Sequence, residues 1–472
     1  MAFLAFFLLV AILIVSFLFS NYFRLKNAYS GSDAFFHYQA AEQLRKNKLR
    51  LYKQMEPYAL PSPPDYPPLL HYLLALLPPH QLISYGRFIG SLFDALTKIL
   101  LFFMARLLTQ EDSTALLAVA LYSLIVITVE EQVEASPRSI GNFVFVANLF
   151  SLLLYMYTSH LAFLVIPVVC VFLSYIIHRF SFQVTVLTLL FLSIYLQNPF
   201  FILVLVAGVL LSMLVLRTYF FLLLKSMAST YTIWFSMRNV KKTAKEGYSK
   251  LSVFVFEFFL SNLMDLLVLF LVFVMNYALP PQLAPFFIVM VFLRCVQIAV
   301  YFVKYLKCIG EHFRYLGYNA AFTSLCLASL LYLYPTDAFV IGSSSVVGVT
   351  SVVAIVFWQR AYRKSKFLFP DQATIESLKK ITKIPTGLLL VLDYPYSRNV
   401  GFLTKKKLFY TSSQQYFHLV REMLWPTAPL SETIKQNNIT HVLVHLSVEK
   451  RYELPHVKPI YKDDQFVLYR VL

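Results

Sequence analysis

Residues 31–38 read Gly31-Ser32-Asp33-Ala34-Phe35-Phe36-His37-Tyr38 and follow closely on an apolar run, 1–23, long enough to cross a bilayer. An ionisable side chain at the mouth of a membrane span is costly to hold unless it has a task. If the stretch is helical, Asp33 and His37 are i,i+4 neighbours on one face. A carboxylate placed there can act as general base on an incoming hydroxyl or amide, with His37 holding a phosphate or tuning the carboxylate. The plainer alternative is that Ser32 or Asp33 only caps the helix that continues through Gln39-Ala40-Ala41-Glu42. Both can hold at once.

The rest of the chain fits a membrane setting. Of its 472 residues 58% are hydrophobic and only 14% charged, whereas a soluble globular chain is about one quarter charged. The apolar residues come in long blocks, which predicts a polytopic α-helical membrane protein of about 11 spans. They fall at 2–23, 82–108, 114–128, 141–158, 160–177, 182–197, 200–222, 251–277, 285–305, 318–334 and 338–358. The 45 Phe and 31 Tyr suit lipid faces and headgroup belts. A net charge of +17 matches attraction to anionic headgroups or to a phosphate-bearing lipid, and nothing in the chain resembles a nucleic-acid module. The four cysteines, Cys170, Cys295, Cys308 and Cys326, show no paired short spacing and read as neither a disulfide framework nor a zinc site. The first span has no basic leader and no small-residue cleavage site, so it reads as a retained span.

Composition divides the chain into a transmembrane region, 1–360, and a soluble α/β domain, 361–472. The first loop, 24–81, is long, polar and rich in proline, and within it 69–77 predicts a short interfacial helix started by Pro67-Pro68. In the tail, 387–393 and 441–445 read as buried strands, and 431–437 as a helix capped by Ser431. The runs 458–461 and 466–471 read as a hairpin turning at Asp463-Asp464. With an odd number of spans, the first loop, 130–139, 225–250, 304–317 and the tail all share one face.

Three further clusters carry chemistry-bearing residues. Glu130-Glu131-Gln132-Val133-Glu134-Ala135-Ser136-Pro137-Arg138 packs three carboxylates and an arginine into one short loop. It is either a solvated turn or a place where a carboxylate ligates a divalent ion and Arg138 grips a phosphate in bidentate fashion. Gly310-Glu311-His312-Phe313-Arg314-Tyr315 offers Glu311 and Arg314 as a surface ion pair of little weight, or Arg314 as a second phosphate clamp. In Asp65-Tyr66-Pro67-Pro68-Leu69-Leu70-His71-Tyr72, Asp65 is a candidate helix cap, and His71 and Tyr72 candidates to line a lipid or acceptor groove. Arg87 with Asp94, and Asp265 with Arg294, are candidate buried pairs within the spans.

Together these pieces resemble the integral-membrane glycosyltransferases of the GT-C superfamily. The stretch from Gly31 to Tyr38 is similar to the opening of the first loop in oligosaccharyltransferase catalytic subunits, where an acidic residue precedes an aromatic-aromatic-His-Tyr run. Asp65-Tyr66-Pro67-Pro68-Leu69 resembles the Tyr-Pro-Pro-Leu element of polyprenyl-phosphate-sugar transferases, and Glu311-His312-Phe313-Arg314-Tyr315 a late-loop Glu/Arg element of archaeal-type enzymes. The chain lacks the Trp-Trp-Asp-Tyr-Gly block of true oligosaccharyltransferases, and its second loop offers Glu134 in place of an Asp-x-Asp pair. The resemblance implies inverting sugar transfer from a polyprenyl-phosphate or -diphosphate donor to an acceptor glycan, lipid or protein, with Asp33 as base. It further implies Glu134 as a second catalytic carboxylate, a divalent cation (Mg or Mn) on Asp33 and Glu134, and His37, Tyr38, Tyr66, His71, Arg138, Glu311 and Arg314 around the substrate.

It also implies a multi-pass protein of a prokaryotic plasma membrane or the ER, with Asp33 on the non-cytoplasmic face. The basic residues Arg45, Lys46, Lys48, Arg50 and Lys53 taken alone place the first loop in the cytoplasm. A transporter or flippase of lipid-linked sugars, or an inactive GT-C-like scaffold, are the other readings. The former predicts inverted repeats and Gly/Pro-broken helices, and the chain has only 12 glycines.

Overall fold

A computed structural model describes residues 2–26, 32–132, 135–237, 255, 259–309, 312–363, 370–392, 394–411, 430–446, 449, 454 and 456–472. The chain divides into two compact units. One comprises Met1–Leu25, Phe88–Phe220 and Ala244–Ala361, and the other Lys26–Arg87, Phe221–Thr243 and Tyr362–Leu472. The first loop therefore groups with the tail.

The first unit is helical. It begins with α1 (Ala2–Lys26), whose numbering precedes α2 to α4 of the other unit, given below. It continues through α5 (Ile89–Thr109), α6 (Asp112–Ser123), α7 (Val126–Gln132), α8 (Arg138–Thr158), α9 (Ala162–Ile177), α10 (Arg179–Tyr195) and α11 (Phe200–Leu216). After α12 (Thr218–Met237), which belongs from Phe221 onward to the other unit, come α13 (Leu263–Leu269), α14 (Ala284–Phe302), α15 (Tyr315–Leu333) and α16 (Ala338–Arg363). Five helices among the described residues are long and apolar enough to cross a membrane, or up to eight if each of three bent pairs is one span. Three shorter apolar segments, Ala162–Ile177, Arg179–Tyr195 and Leu260–Val274, accompany them.

Helix α15 lies at the centre. Every residue from Tyr315 to Leu330 is buried, and the small side chains Ala320, Ala321, Ser324 and Ala328 let neighbouring backbones approach. Where α9 crosses α11, an added Cβ on Gly208 would fall 2.4 Å from Cβ of Val171, so only glycine fits. The stretch expected as one span at 114–128 is instead bent by 64° between α6 and α7. Asp94 pairs not with Arg87 but with Lys98, one turn along α5 at 2.5 Å, and Lys98 also donates to Ser16 Oγ of α1 at 2.5 Å. Asp265 and Arg294 do face each other, fully buried, at 3.7 Å.

The second unit holds α2 (Ser32–Lys46), α3 (Leu69–Ala75), α4 (Leu82–Gly86), α17 (Gln372–Thr382), β1 (Leu389–Val391), α18 (Tyr394–Thr404), α19 (Leu430–Gln436), β2 (His441–His445), β3 (Val457–Lys462) and β4 (Phe466–Val471). The strands form one sheet in the order β1-β2-β4-β3, with β1 parallel to β2 and the other pairs antiparallel. Helix α17 starts at Asp371, whose side chain accepts from the Thr374 N–H at 2.8 Å. Helix α19 already includes Leu430, which puts Ser431 in its first turn and not at the cap. Helix α3 begins after Pro68 with no side-chain cap, so Asp65 does not fill that role. The first loop joins the tail through its backbone: Ala59 N–H donates to Leu408 O at 2.8 Å, and Leu408 N–H to Pro57 O at 3.0 Å.

Candidate functional site

Asp33 occupies the first turn of α2, where a carboxylate complements the positive end of the helix dipole. Its Oδ1 accepts from Arg398 Nη1 of α18, a residue far along the chain. The pair stays partly open to solvent, Asp33 at 42% and Arg398 at 23% side-chain exposure. Packing fixes the guanidinium in place. It lies 5.7 Å from the centre of the Phe36 ring, while Phe402 of the same helix rests against Phe35 at 5.6 Å and Tyr38 at 5.9 Å. One turn further along, Lys405 pairs with Glu42 and covers the Phe402 ring at 4.2 Å.

His37 turns inward on α2, and its Nδ1 lies 2.9 Å from His71 Nε2. Tyr66 packs on both imidazoles, 5.4 Å from His37 and 5.7 Å from His71. Burial first, and then the field of His37, hold His71 well below the usual imidazole range, so it is neutral at pH 7. His37, Tyr38 and His71 are all buried, and only Tyr66 of this group is half-exposed. They form a ring cluster beneath Asp33 rather than a lined surface.

The first unit gathers a different set. The last turn of α7 carries Glu131, which is only 3% exposed and accepts from Asn142 Nδ2 of α8 at 2.6 Å. Gly317 of α15 faces the carboxylate so closely that a Cβ there would lie 2.9 Å from Oε1. Arg138, at the start of α8, and Arg314, just before α15, both act electrostatically on Glu131, and both also act on Tyr318. Tyr318 Oη and Ser181 Oγ are 2.7 Å apart. Arg24, buried at the end of α1, holds the terminus of α7 by donating to Gln132 O, and bonds Asn21 Oδ1 at 3.1 Å.

The sequence reading takes Arg138 and Arg314 as separate phosphate clamps; both act on the same carboxylate, Glu131, to which it gives no role of its own. Glu134 and Glu311 lie outside the described residues. Arg398, Asn142 and Arg24 were missed. Glu131 had a signal: it follows Ile127 and Thr128 at helical spacing, and both are buried.

The described residues do not fit a divalent cation. Among them no group of three or more His, Cys, Asp or Glu side chains is placed to hold a metal ion. Asp33 is engaged by a guanidinium, which repels a second cation, and Glu131 by an amide donor between two arginines.

No protein-family profile and no curated protein sequence matches the chain. Solved structures do. The oligosaccharyltransferase of Archaeoglobus fulgidus, in complex with Zn and sulfate, superposes with a TM-score of 0.62 at 12% identity, covering 93% of this chain and 68% of that one. AglB of the same organism, in complex with an inhibitory peptide and a dolichol-phosphate, gives 0.61 at 11% identity, covering 93% and 70%. ArnT from Cupriavidus metallidurans, bound to undecaprenyl phosphate, gives 0.56 at 12% identity over 98% of this chain and 97% of its own. At such identity the likeness is one of fold: this chain shares the fold of these solved structures.

Proposed function

We propose that the protein transfers a sugar from a polyprenyl-phosphate or -diphosphate donor to an acceptor at the membrane surface, with inversion. The acceptor's oxygen or nitrogen forms the new bond to the anomeric carbon and gives its proton to Asp33. The bond from that carbon to the donor phosphate breaks, and the electron pair leaves with the phosphate. Arg138 and Arg314 take up the charge that develops on this leaving group, where fixed guanidiniums act most strongly. Glu131, buried and held by Asn142, is the counter-charge that keeps the two arginines in place when no donor is bound. Arg398 orients the Asp33 carboxylate through Oδ1.

The observation that carries this reading is that Arg138 and Arg314, from segments far apart in sequence, both stand within electrostatic reach of one buried carboxylate at the ends of apolar helices. The shared fold supports it, as does the lipid phosphate bound by two of the similar structures. In this reading Asp33 works on the non-cytoplasmic face, which labelling of a cysteine introduced in the tail, from either side of sealed vesicles, decides. The activity is tested by incubating the purified protein with a panel of undecaprenyl-phosphate and -diphosphate hexoses labelled in the sugar. Release or transfer of label is expected, falling at least a hundredfold in Arg138→Ala and in Arg314→Ala. If no donor in the panel is turned over, the reading fails.

A further inference from the structure

The sheet of the tail carries a row of basic side chains, and among the described residues no acidic side chain lines the cleft they border. Strand register sets His441 of β2 opposite Arg470 of β4, and Arg470 opposite Lys458 of β3. Residues so paired share a face with their Cβ atoms about 4.5–5.5 Å apart, and like charges there destabilise the sheet. The row opens on a cleft of about 800 Å³ whose lining includes His441, Arg470, Thr386 and the apolar Ile384, Ile439 and Ile460, and no acidic residue. Lys406 stands at the same end, its Nζ donating to Ile384 O at 2.5 Å.

The polar groups here are prepared for an anion. Burial first, then the fields of Arg470 and Lys406, lower the His441 imidazole from its usual range, so it is neutral at pH 7. Its Nδ1 lies 3.3 Å from the Gly387 N and 2.9 Å from Thr440 Oγ1, and in the tautomer that accepts from Gly387 the proton is on Nε2 as a donor. Thr386 Oγ1 is buried and has no hydrogen-bond partner, although buried hydroxyls are normally satisfied. Arg470, His441 and Thr386 line a space much larger than a phosphate group, Lys406 stands beside it, and the isoleucines share the rest of the wall with Asn438 and Thr440.

We propose that this cleft binds a phosphate ester, with Arg470 and Lys406 on the phosphate oxygens, His441 and Thr386 donating to them, and the isoleucines against the ester's apolar body. The two sources of such a group are an anionic phospholipid headgroup and a soluble phosphate ester. The site is separate from the transfer reaction proposed above and stands or falls independently of it.

The test uses the full-length protein in detergent and reads acetylation of individual lysines by mass spectrometry. The probes are dioctanoyl-phosphatidylglycerol, the zwitterionic dioctanoyl-phosphatidylcholine, and glycerol phosphate. Phosphatidylglycerol is expected to slow acetylation of Lys406 at least fivefold while Lys379 and Lys435 react as before. Equal protection by glycerol phosphate assigns the site to soluble esters, and its absence assigns it to the headgroup. Arg470→Gln, a change at an exposed position, and Thr386→Val should each reduce the protection, the former to below twofold. Protection by neither anionic probe, equal protection by phosphatidylcholine, or protection untouched by Arg470→Gln overturns the proposal.

Discussion

Replacing Gly317 with alanine tests the placement of the buried carboxylate directly. The new Cβ would lie 2.9 Å from Glu131 Oε1 and 3.1 Å from both Cδ and Oε2, inside ordinary contact. Gly317 sits in the first turn of α15 among neighbours that are all buried, so the helix has little room to retreat and the carboxylate must move. Glu131 is pinned by Asn142 at 2.6 Å, and a shift of a few tenths of an ångström strains that bond. Overpacking of this kind costs about 1–3 kcal/mol, and losing a hydrogen bond to a charged group costs about 1.5–3 kcal/mol more. The clash belongs to the pair, so it should vanish when Glu131 is cut back to alanine. Reversible unfolding in mixed micelles of rising SDS fraction, run on the wild type, G317A, E131A and the double variant, gives the coupling. At least about 1 kcal/mol is expected, as for residues in contact. If G317A costs the same with and without the carboxylate, the packing of α7 on α15 is not as described.

Asp33→Asn should abolish sugar transfer while undecaprenyl phosphate binding, measured by native mass spectrometry, stays within threefold; retained turnover refutes the base assignment. Arg398→Ala should lower kcat about tenfold to a hundredfold, the equivalent of one hydrogen bond to a charged group, and Arg398→Lys should recover part of it because charge is kept and the planar fork is lost. Asp265→Leu removes the carboxylate that faces the buried Arg294 guanidinium and should cost about 3–5 kcal/mol in the micelle assay, most of it regained in Asp265→Leu/Arg294→Met. Because the folded protein holds His71 well below the usual imidazole range, the unfolded chain takes up a proton near pH 6.5 that the folded chain refuses. Stability from this group is therefore complete above that pH and declines below it, by up to about 1.4 kcal/mol per pH unit. His71→Gln should flatten the slope between pH 6.5 and 5.

Much of the local structure is legible in sequence because local rules decide it. Helix α2 starts where Ser32 and Asp33 stand, α3 starts behind Pro67-Pro68, and the hairpin of β3 and β4 turns at Asp463-Asp464. What escapes is anything set by partners distant in the chain. Arg398 lies in a stretch, Tyr394–Thr404, with no strong apolar period, and it becomes a helix by packing Phe402 on Phe35 and Tyr38. The choice between Glu131 and the other carboxylates of its loop depends on which residue α7 turns toward α8 and α15, and the 64° bend before α7 leaves no trace in hydropathy. The basic residues of the first loop find partners that a charge count does not register. Arg45 donates to the carbonyls of Ala75 and Leu77 at the end of α3, and Lys46 pairs with Glu56 at 3.5 Å, so part of that charge is spent on local architecture.

The seating of α18 against α2 bears on how this polypeptide can be shortened. A gene fragment ending near residue 361 would look, by hydropathy, like an intact membrane core freed of an accessory module. It would instead strip Phe402 from Phe35 and Tyr38 and withdraw the cation that faces Asp33, exposing sticky aromatic surface to proteases and cellular quality control. Expression trials should therefore keep both ends of the molecule, and any split version should be rejoined by co-producing the two pieces.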